Sequence, residues 1–277
     1  MTTDRFRASA AITQDWQHFD FSVVDRVATV TFNRPEKLNP LTFQSYADLR
    51  DLLHELPYRG DTDVLVIRGE GKGFCAGGDV HEIIGELVQM EPRELARFTG
   101  MTGDVITAMR ACPVPIIAAI QGIAAGAGSV IALAADFRIL TSSARFAFLF
   151  TKVGLSGGDM GAAWLLPRLV GVGRATQLLM LGDTIDAATA DRFGLASELV
   201  ADDELEASVH ALSRRLADGP TLAFARTKAL IHHELDMSLN AAVELDAMTQ
   251  ALLMKTADHA EFHAAFLEGR PPNWTGR

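Results

Sequence analysis

Apolar and polar positions follow two different periods along this chain. Residues 19–24 and 27–32 alternate with period two around Asp25-Arg26, which predicts a β-hairpin. Residues 44–56 carry apolar side chains at helical spacing instead. Short apolar runs at 64–67, 116–120 and 137–140 predict buried strands, and the run 126–135 predicts a close-packed helix. Strand and helix in repeated alternation indicate an α/β core. After Pro220 the pattern is helical throughout, over 221–232, 239–254 and 257–267. The expected organisation is a core over 1–200, with 1–15 as a loose tail, and a C-terminal helical region over 201–277.

Two small-residue turns interrupt this pattern, Phe74-Cys75-Ala76-Gly77-Gly78-Asp79 and Gly122-Ile123-Ala124-Ala125-Gly126-Ala127-Gly128. Each follows a strand-like run and opens into a helical one. Such a junction leaves backbone N–H groups free and lets a ligand approach the main chain. Two of them side by side could each offer an N–H to one carbonyl oxygen, the arrangement of an oxyanion hole.

These turns sit among further recognisable words: Thr31-Phe32-Asn33-Arg34-Pro35-Glu36-Lys37-Leu38-Asn39-Pro40-Leu41, Ala134-Ala135-Asp136, Val170-Gly171 and Asp191-Arg192-Phe193-Gly194-Leu195. Together and in this order they resemble the crotonase (enoyl-CoA hydratase/isomerase) superfamily. The resemblance implies a crotonase-like spiral of ββα turns in place of a doubly wound sheet, with helices that cover the ligand site and build trimers or hexamers. It implies an acyl-CoA thioester as substrate, with coenzyme A arriving as part of that substrate and no tightly bound cofactor. Gly78 and Ala127 then match the oxyanion-hole donors. Lys37 and Leu38, the turn residues Ala76, Gly77, Asp79, Val80 and Gly126, and Lys228 and Phe266 near the C-terminus match positions along the coenzyme A.

The chain departs from that family where hydratases place two glutamates. Those positions fall at Val130 and Phe150, neither of which can transfer a proton. With Phe148 they are expected to line a dry pocket. Between Ala125 and Trp164 the acidic residues are Asp136 and Asp159. Asp136 matches a structural aspartate of the family. Asp159 follows Ser156 and Gly157, which are expected in the same substrate pocket, in a glycine-rich loop where a related dehalogenase and a naphthoate synthase keep functional aspartates. Asp159 can be read as the acid/base or as the N-cap of a helix over 160–170. His81, two residues past Asp79, is a second proton-transfer candidate. Three readings stay open: an enzyme of the hydratase/isomerase class with displaced proton chemistry, a thioester hydrolase or C–C-cleaving enzyme using Asp159, and a non-catalytic acyl-CoA binder.

Composition narrows the remaining classes. The 277 residues carry 25 basic and 35 acidic side chains, a net charge of −10, which argues against nucleic-acid binding. An anionic ligand must therefore be held by local basic residues. Two cysteines, Cys75 and Cys112, make no disulfide framework and fit a reducing cytoplasm. Arg5 and Arg7 are followed by no apolar stretch, so the N-terminus does not read as a secretory signal. The uncharged run at 113–135 is too rich in glycine, alanine and turn signals to suggest a membrane span. The paired histidines at 232/233 and 259/263 lack a third ligand, so no metal site is expected.

Overall fold

The hairpin forms where the alternation places it, with β1 (Asp20–Val24) antiparallel to β2 (Val27–Phe32). Asp25 and Arg26 both take positive φ, 47° and 67°, so the two-residue turn matches the twist of its strands. The computed structural model describes residues 12–277. Most of the expected loose tail therefore lies outside the described residues. Its described end is tied down, because the Thr13 amide donates to the Glu55 carboxylate at 3.1 Å and Arg59 donates to the Thr13 carbonyl at 2.9 Å.

α1 (Phe43–Arg59) starts at a Thr42–Ser45 capping box, and the chain leaves it through Gly60 at φ +69°. It buries a face made of Tyr46, Leu49, Leu52, Leu53 and Leu56. β3 (Val64–Gly69) follows, then a turn of π-helix over Val80–Ile84 that runs into the short α2 (Gly85–Leu87). The long α3 (Pro92–Ala111) packs against α1.

β4 (Ile116–Ile120), β5 (Ile123–Ala125) and α4 (Ala127–Ala134) make one complete ββα turn. The next turn opens with β6 (Phe137–Thr141) and β7 (Arg145–Ala147), passes 3-10 turns at Leu149–Val153 and Asp159–Gly161, and reaches α5 (Ala162–Val170) and α6 (Val172–Leu181). β8 (Thr184–Asp186), α7 (Ala187–Arg192) and β9 (Glu198–Val200) complete the strands. α8 (Leu205–Ala217), α9 (Thr221–Glu234), α10 (Leu239–Leu253) and α11 (Ala257–Glu268) form the helical C-terminal part.

The strands sort into a six-stranded sheet, β1-β2-β3-β4-β6-β9, and a three-stranded one, β5-β7-β8. Past the hairpin the large sheet is parallel, as successive spiral turns require. Each turn sends its first strand to the large sheet and its second to the small one. A parallel bridge between Cys75 and Ala124 puts the first glycine turn in the second-strand position as well. This is the expected ββα spiral. The main core fills the space between the sheets and α1, α3, α4 and α5, and a second core lies under α8, where Leu205 and Leu216 pack on Val64, Val66, Ile117 and Ile139. Among the described residues no helix is long and apolar enough to cross a membrane.

Candidate active site

Parallel pairing between successive turns of the spiral sets the two glycine turns side by side. The Ala125 amide donates to the Cys75 carbonyl at 2.9 Å, and the Leu41 amide to the Gly77 carbonyl at 2.7 Å. The packing leaves no room for a side chain at Gly77 or Gly128. A methyl on Gly128 would stand 2.3 Å from the Cys75 carbonyl oxygen. One on Gly77, whose φ is +95°, would stand 2.9 Å from the Ala125 oxygen and 3.4 Å from the Ala127 nitrogen. Among the described residues, the amides of Gly78 and Ala127 donate to no acceptor. Ala127 is the first residue of α4, where an N–H has no helical partner and the helix dipole adds positive potential. Neighbouring amides are spent on the frame: Ala76 donates to Leu38, Asp79 to Leu41, and Gly126 to Ala147.

Asp79 fixes the first turn. Its carboxylate is buried, accepts from the His81 and Glu82 amides at 2.9 and 3.2 Å, and pairs with Arg34 at 2.9 Å. Burial works to raise this carboxyl, but the two amides and the charges of Arg34 and Lys37 outweigh it and hold it below the ordinary carboxylate range. Lys37 stands at the rim, half exposed, 3.7 Å from Asp79 and 3.9 Å from Glu82. Leu38 and Val80 are exposed beside it. Leu38 and Asn39 both adopt left-handed backbone, and the buried Asn39 side chain holds the Glu70 and Gly73 carbonyls at 2.8 Å. The His81 imidazole is exposed and engages no partner among the described residues.

Asp159 does not cap a helix. α5 begins at Ala162 with Gly161 as its N-cap, two residues later than expected, because Met160 takes φ +50° and Gly161 +85° and both break the helical path. A methionine in this region is strained. Asp159 is half-buried; desolvation pushes its carboxyl above the ordinary value, and a hydrogen bond from the Met160 amide offsets only part of that. Its turn packs on α3 and α4, which brings it to the helix that Ala127 opens.

Two other expectations are corrected. Val130 and Phe148 have no exposed surface and Phe150 retains 7%, so the first two are sealed core and do not line an open pocket. Gly157 packs against the Leu179 carbonyl, at 2.4 Å from a methyl built there, while Ser156 is exposed and accepts from the Gly158 amide at 3.1 Å.

Lys228 is not a surface handle for phosphate. Its ammonium is buried, 2.7 Å from Asp136 and 3.0 Å from the Val114 carbonyl. Lys228→Met is expected to lower the unfolding free energy by about 3 kcal/mol, because it strands a largely buried carboxylate. Urea denaturation measures that loss, while the ratio of KM values for coenzyme A and 3′-dephospho-coenzyme A thioesters should not change. Phe266, on α11, is 73% exposed and packs on Phe262 with ring centroids 6.2 Å apart.

The residue that sequence reading passed over is Tyr46. Its ring is buried at 3% exposure, edge-on to Phe98. A methyl built on Gly78 would meet its hydroxyl at 3.7 Å. Burial pushes the phenol well above its usual value, and the nearby Cys75 and Asp159 add to the rise. Tyr46 therefore stands close both to the first turn and to Asp159. In the sequence it is one more apolar-stripe residue of α1, and the visible signal was a hydroxyl on a face of leucines.

Among the described residues no three histidine, cysteine or acidic side chains gather as a metal site. A cavity of about 420 Å3 lies elsewhere, lined by Arg110, Asp136, Trp164, Arg168, Lys228 and His232 among others.

Known proteins share this architecture. The family model for enoyl-CoA hydratase/isomerase matches residues 23–277. A Rhodobacter capsulatus protein assigned as an enoyl-CoA hydratase is 37% identical over 93% of this chain and 97% of its own. The 1,2-epoxyphenylacetyl-CoA isomerase of Escherichia coli K12 is 34% identical over 91% and 95%. A crystal structure from Streptomyces coelicolor A3(2), of a protein assigned as an enoyl-CoA hydratase, superposes with a TM-score of 0.97 at 61% identity, covering 99% of this chain and all of that one. On fold, turn geometry and these matches, the chain belongs to the enoyl-CoA hydratase/isomerase family.

Proposed function

We propose that this acyl-CoA enzyme is an isomerase, with the thioester oxygen held by the Gly78 and Ala127 amides and the proton moved by the carboxylate of Asp159. The observation that carries this reading is the half-buried Asp159 carboxyl beside a turn whose two usual carboxylate positions are occupied by Val130 and Phe150. Adding water across a double bond calls for one group to activate the water and another to deliver a proton. Shifting a double bond needs a single base that takes a proton from C2 and returns it at C4. As the C2–H bond breaks, its electron pair enters the conjugated thioester, and the charge collects on the oxygen facing the two amides. Two fixed N–H dipoles in a site poor in water stabilise that charge without reorganising. A carboxyl raised by burial is a better base for an acidified C–H than an ordinary one. A relative from Streptococcus mutans, 30% identical over 95% of this chain, is named a trans-2-decenoyl-acyl-carrier-protein isomerase.

Coenzyme A enters and leaves with the substrate, and Lys37 is the half-exposed basic side chain at the rim, 3.7 Å from the first turn's carboxylate Asp79. Assembly as a trimer or hexamer is part of the proposal, supported by the exposed Leu239, Val243, Met248 and Leu252 on α10. The test is mass spectrometry of products from 3-hexenoyl-CoA and crotonyl-CoA in D2O. The expected result is 2-hexenoyl-CoA that keeps at C4 protium taken from C2, formed at least about 100-fold faster than any hydrated product. Dominant 3-hydroxyacyl product would overturn the isomerase reading. Tight binding of both thioesters without turnover would make the chain a non-catalytic binder.

A further inference from the structure

A buried polar group normally has a partner. The Tyr46 hydroxyl has none. Among the described residues it gives and takes no hydrogen bond, although the ring around it is buried. It differs from Thr151 and Ser213, whose hydroxyls are both unpartnered and completely sealed; the Tyr46 oxygen is not sealed. It sits under Gly78, 3.7 Å from a methyl built on that residue, with Ile83 Cδ1 at 3.6 Å from the same point. Phe98 packs edge-on against its ring at 6.0 Å, and Phe43 meets the other side of Phe98 at 5.0 Å, so the ring has little freedom to turn away. Asp159 lies near enough to raise the phenol but makes no hydrogen bond with it. Cys75 is buried, with its thiol pushed up to about 12 by that burial, and it supplies no anionic acceptor. Asp79 is committed to Arg34 and the amides of His81 and Glu82.

A phenol held this way is a hydrogen-bond donor without an acceptor. We propose that Tyr46 recognises an oxygen substituent on the first carbons of the acyl chain, so that the substrates of this site are oxo-, hydroxy- or epoxyacyl thioesters in preference to plain hydrocarbon ones. This rests on the proposed placement of the thioester at Gly78, and it adds the substrate class. The physical basis is asymmetric. A substrate bearing an acceptor pairs the buried hydroxyl, whereas a plain acyl chain that excludes water leaves it unpaired at a cost of about 1–3 kcal/mol. The hydroxyl keeps its proton across the physiological range, so it donates and does not serve as the base.

Equilibrium binding separates this proposal from the catalytic one because it needs no turnover. The probes are butyryl-CoA, 3-hydroxybutyryl-CoA and 3-oxobutyryl-CoA, titrated by calorimetry into the full-length chain, into Tyr46→Phe and into Asp159→Asn. The unaltered chain is expected to bind the two oxygenated thioesters about tenfold more tightly than butyryl-CoA. Tyr46→Phe should abolish that preference and leave butyryl-CoA binding unchanged or tighter, while Asp159→Asn should retain it. The replacement is isosteric, and an unchanged melting temperature confirms that the ring still packs. Equal weakening of all three ligands would mean that the hydroxyl serves the thioester oxygen common to them, and would overturn the assignment. A preference that survives Tyr46→Phe, or none in the unaltered chain, would overturn it as well. Retained isomerase activity in Asp159→Asn would count against the catalytic reading and leave the binding result standing.

Discussion

Asp159→Asn is expected to lower kcat for double-bond migration by about 10²- to 10⁴-fold, with KM nearly unchanged. Asparagine keeps the size of the side chain and its place in the turn, and loses the ability to take a proton. The pH profile supplies a second readout. Because the carboxyl is raised by burial, the activity of the unaltered enzyme should climb with pH through a value above the ordinary carboxylate range and then level off. Stability should run the other way. The unfolded chain releases this proton at the ordinary value and the folded chain only later. Stability is therefore lost as pH rises from the ordinary value through the raised one, and stays lost above it. Asp159→Asn removes that loss, so the variant should melt at a higher temperature than the unaltered chain at neutral pH, and the difference should vanish in acid. A variant that is slower and no more stable would separate the catalytic assignment from the burial argument.

The second large effect concerns a backbone donor. Ala127→Pro deletes an N–H at the first residue of α4, a position where proline is well tolerated because that N–H has no helical partner. The expected loss is about 10²- to 10³-fold in kcat, the usual effect of removing one oxyanion donor. Circular dichroism should show the helix intact. Ala127→Ser, which keeps the amide, is the control and should retain most of the activity. If the proline variant turned over normally while folded, the thioester oxygen would have to sit elsewhere.

The strands and most helices were legible because burial imposes its own period. β2, β4 and α9 begin where alternation or helical spacing begins, and the hairpin turn has the two residues that its strands demand. What failed was local inference at positions governed by distant partners. Asp159 before a run of helix formers reads as an N-cap, but the conformations of Met160 and Gly161 decide the matter and leave no local trace. Lys228 reads as a position along the coenzyme A, and only the fold brings Asp136 to within 2.7 Å. Val130 and Phe148 are apolar as expected, but the sequence could not say whether they face an opening or fill the interior. Tyr46 was invisible for a related reason: its ring satisfies the leucine stripe, and its hydroxyl acquires meaning only when Gly78 is placed above it.

The Gly78 and Ala127 donors belong to the main chain, and no substitution but proline can erase them. Mutational drift can therefore rewrite the side chains at 46, 130, 150 and 159 while the proposed anchor for the thioester persists. A scaffold of this kind separates holding from reacting. An engineer seeking new chemistry on it should randomise those four positions and leave Gly77 and Gly128 untouched, since a single added methyl there would meet carbonyl oxygens at 2.9 and 2.3 Å.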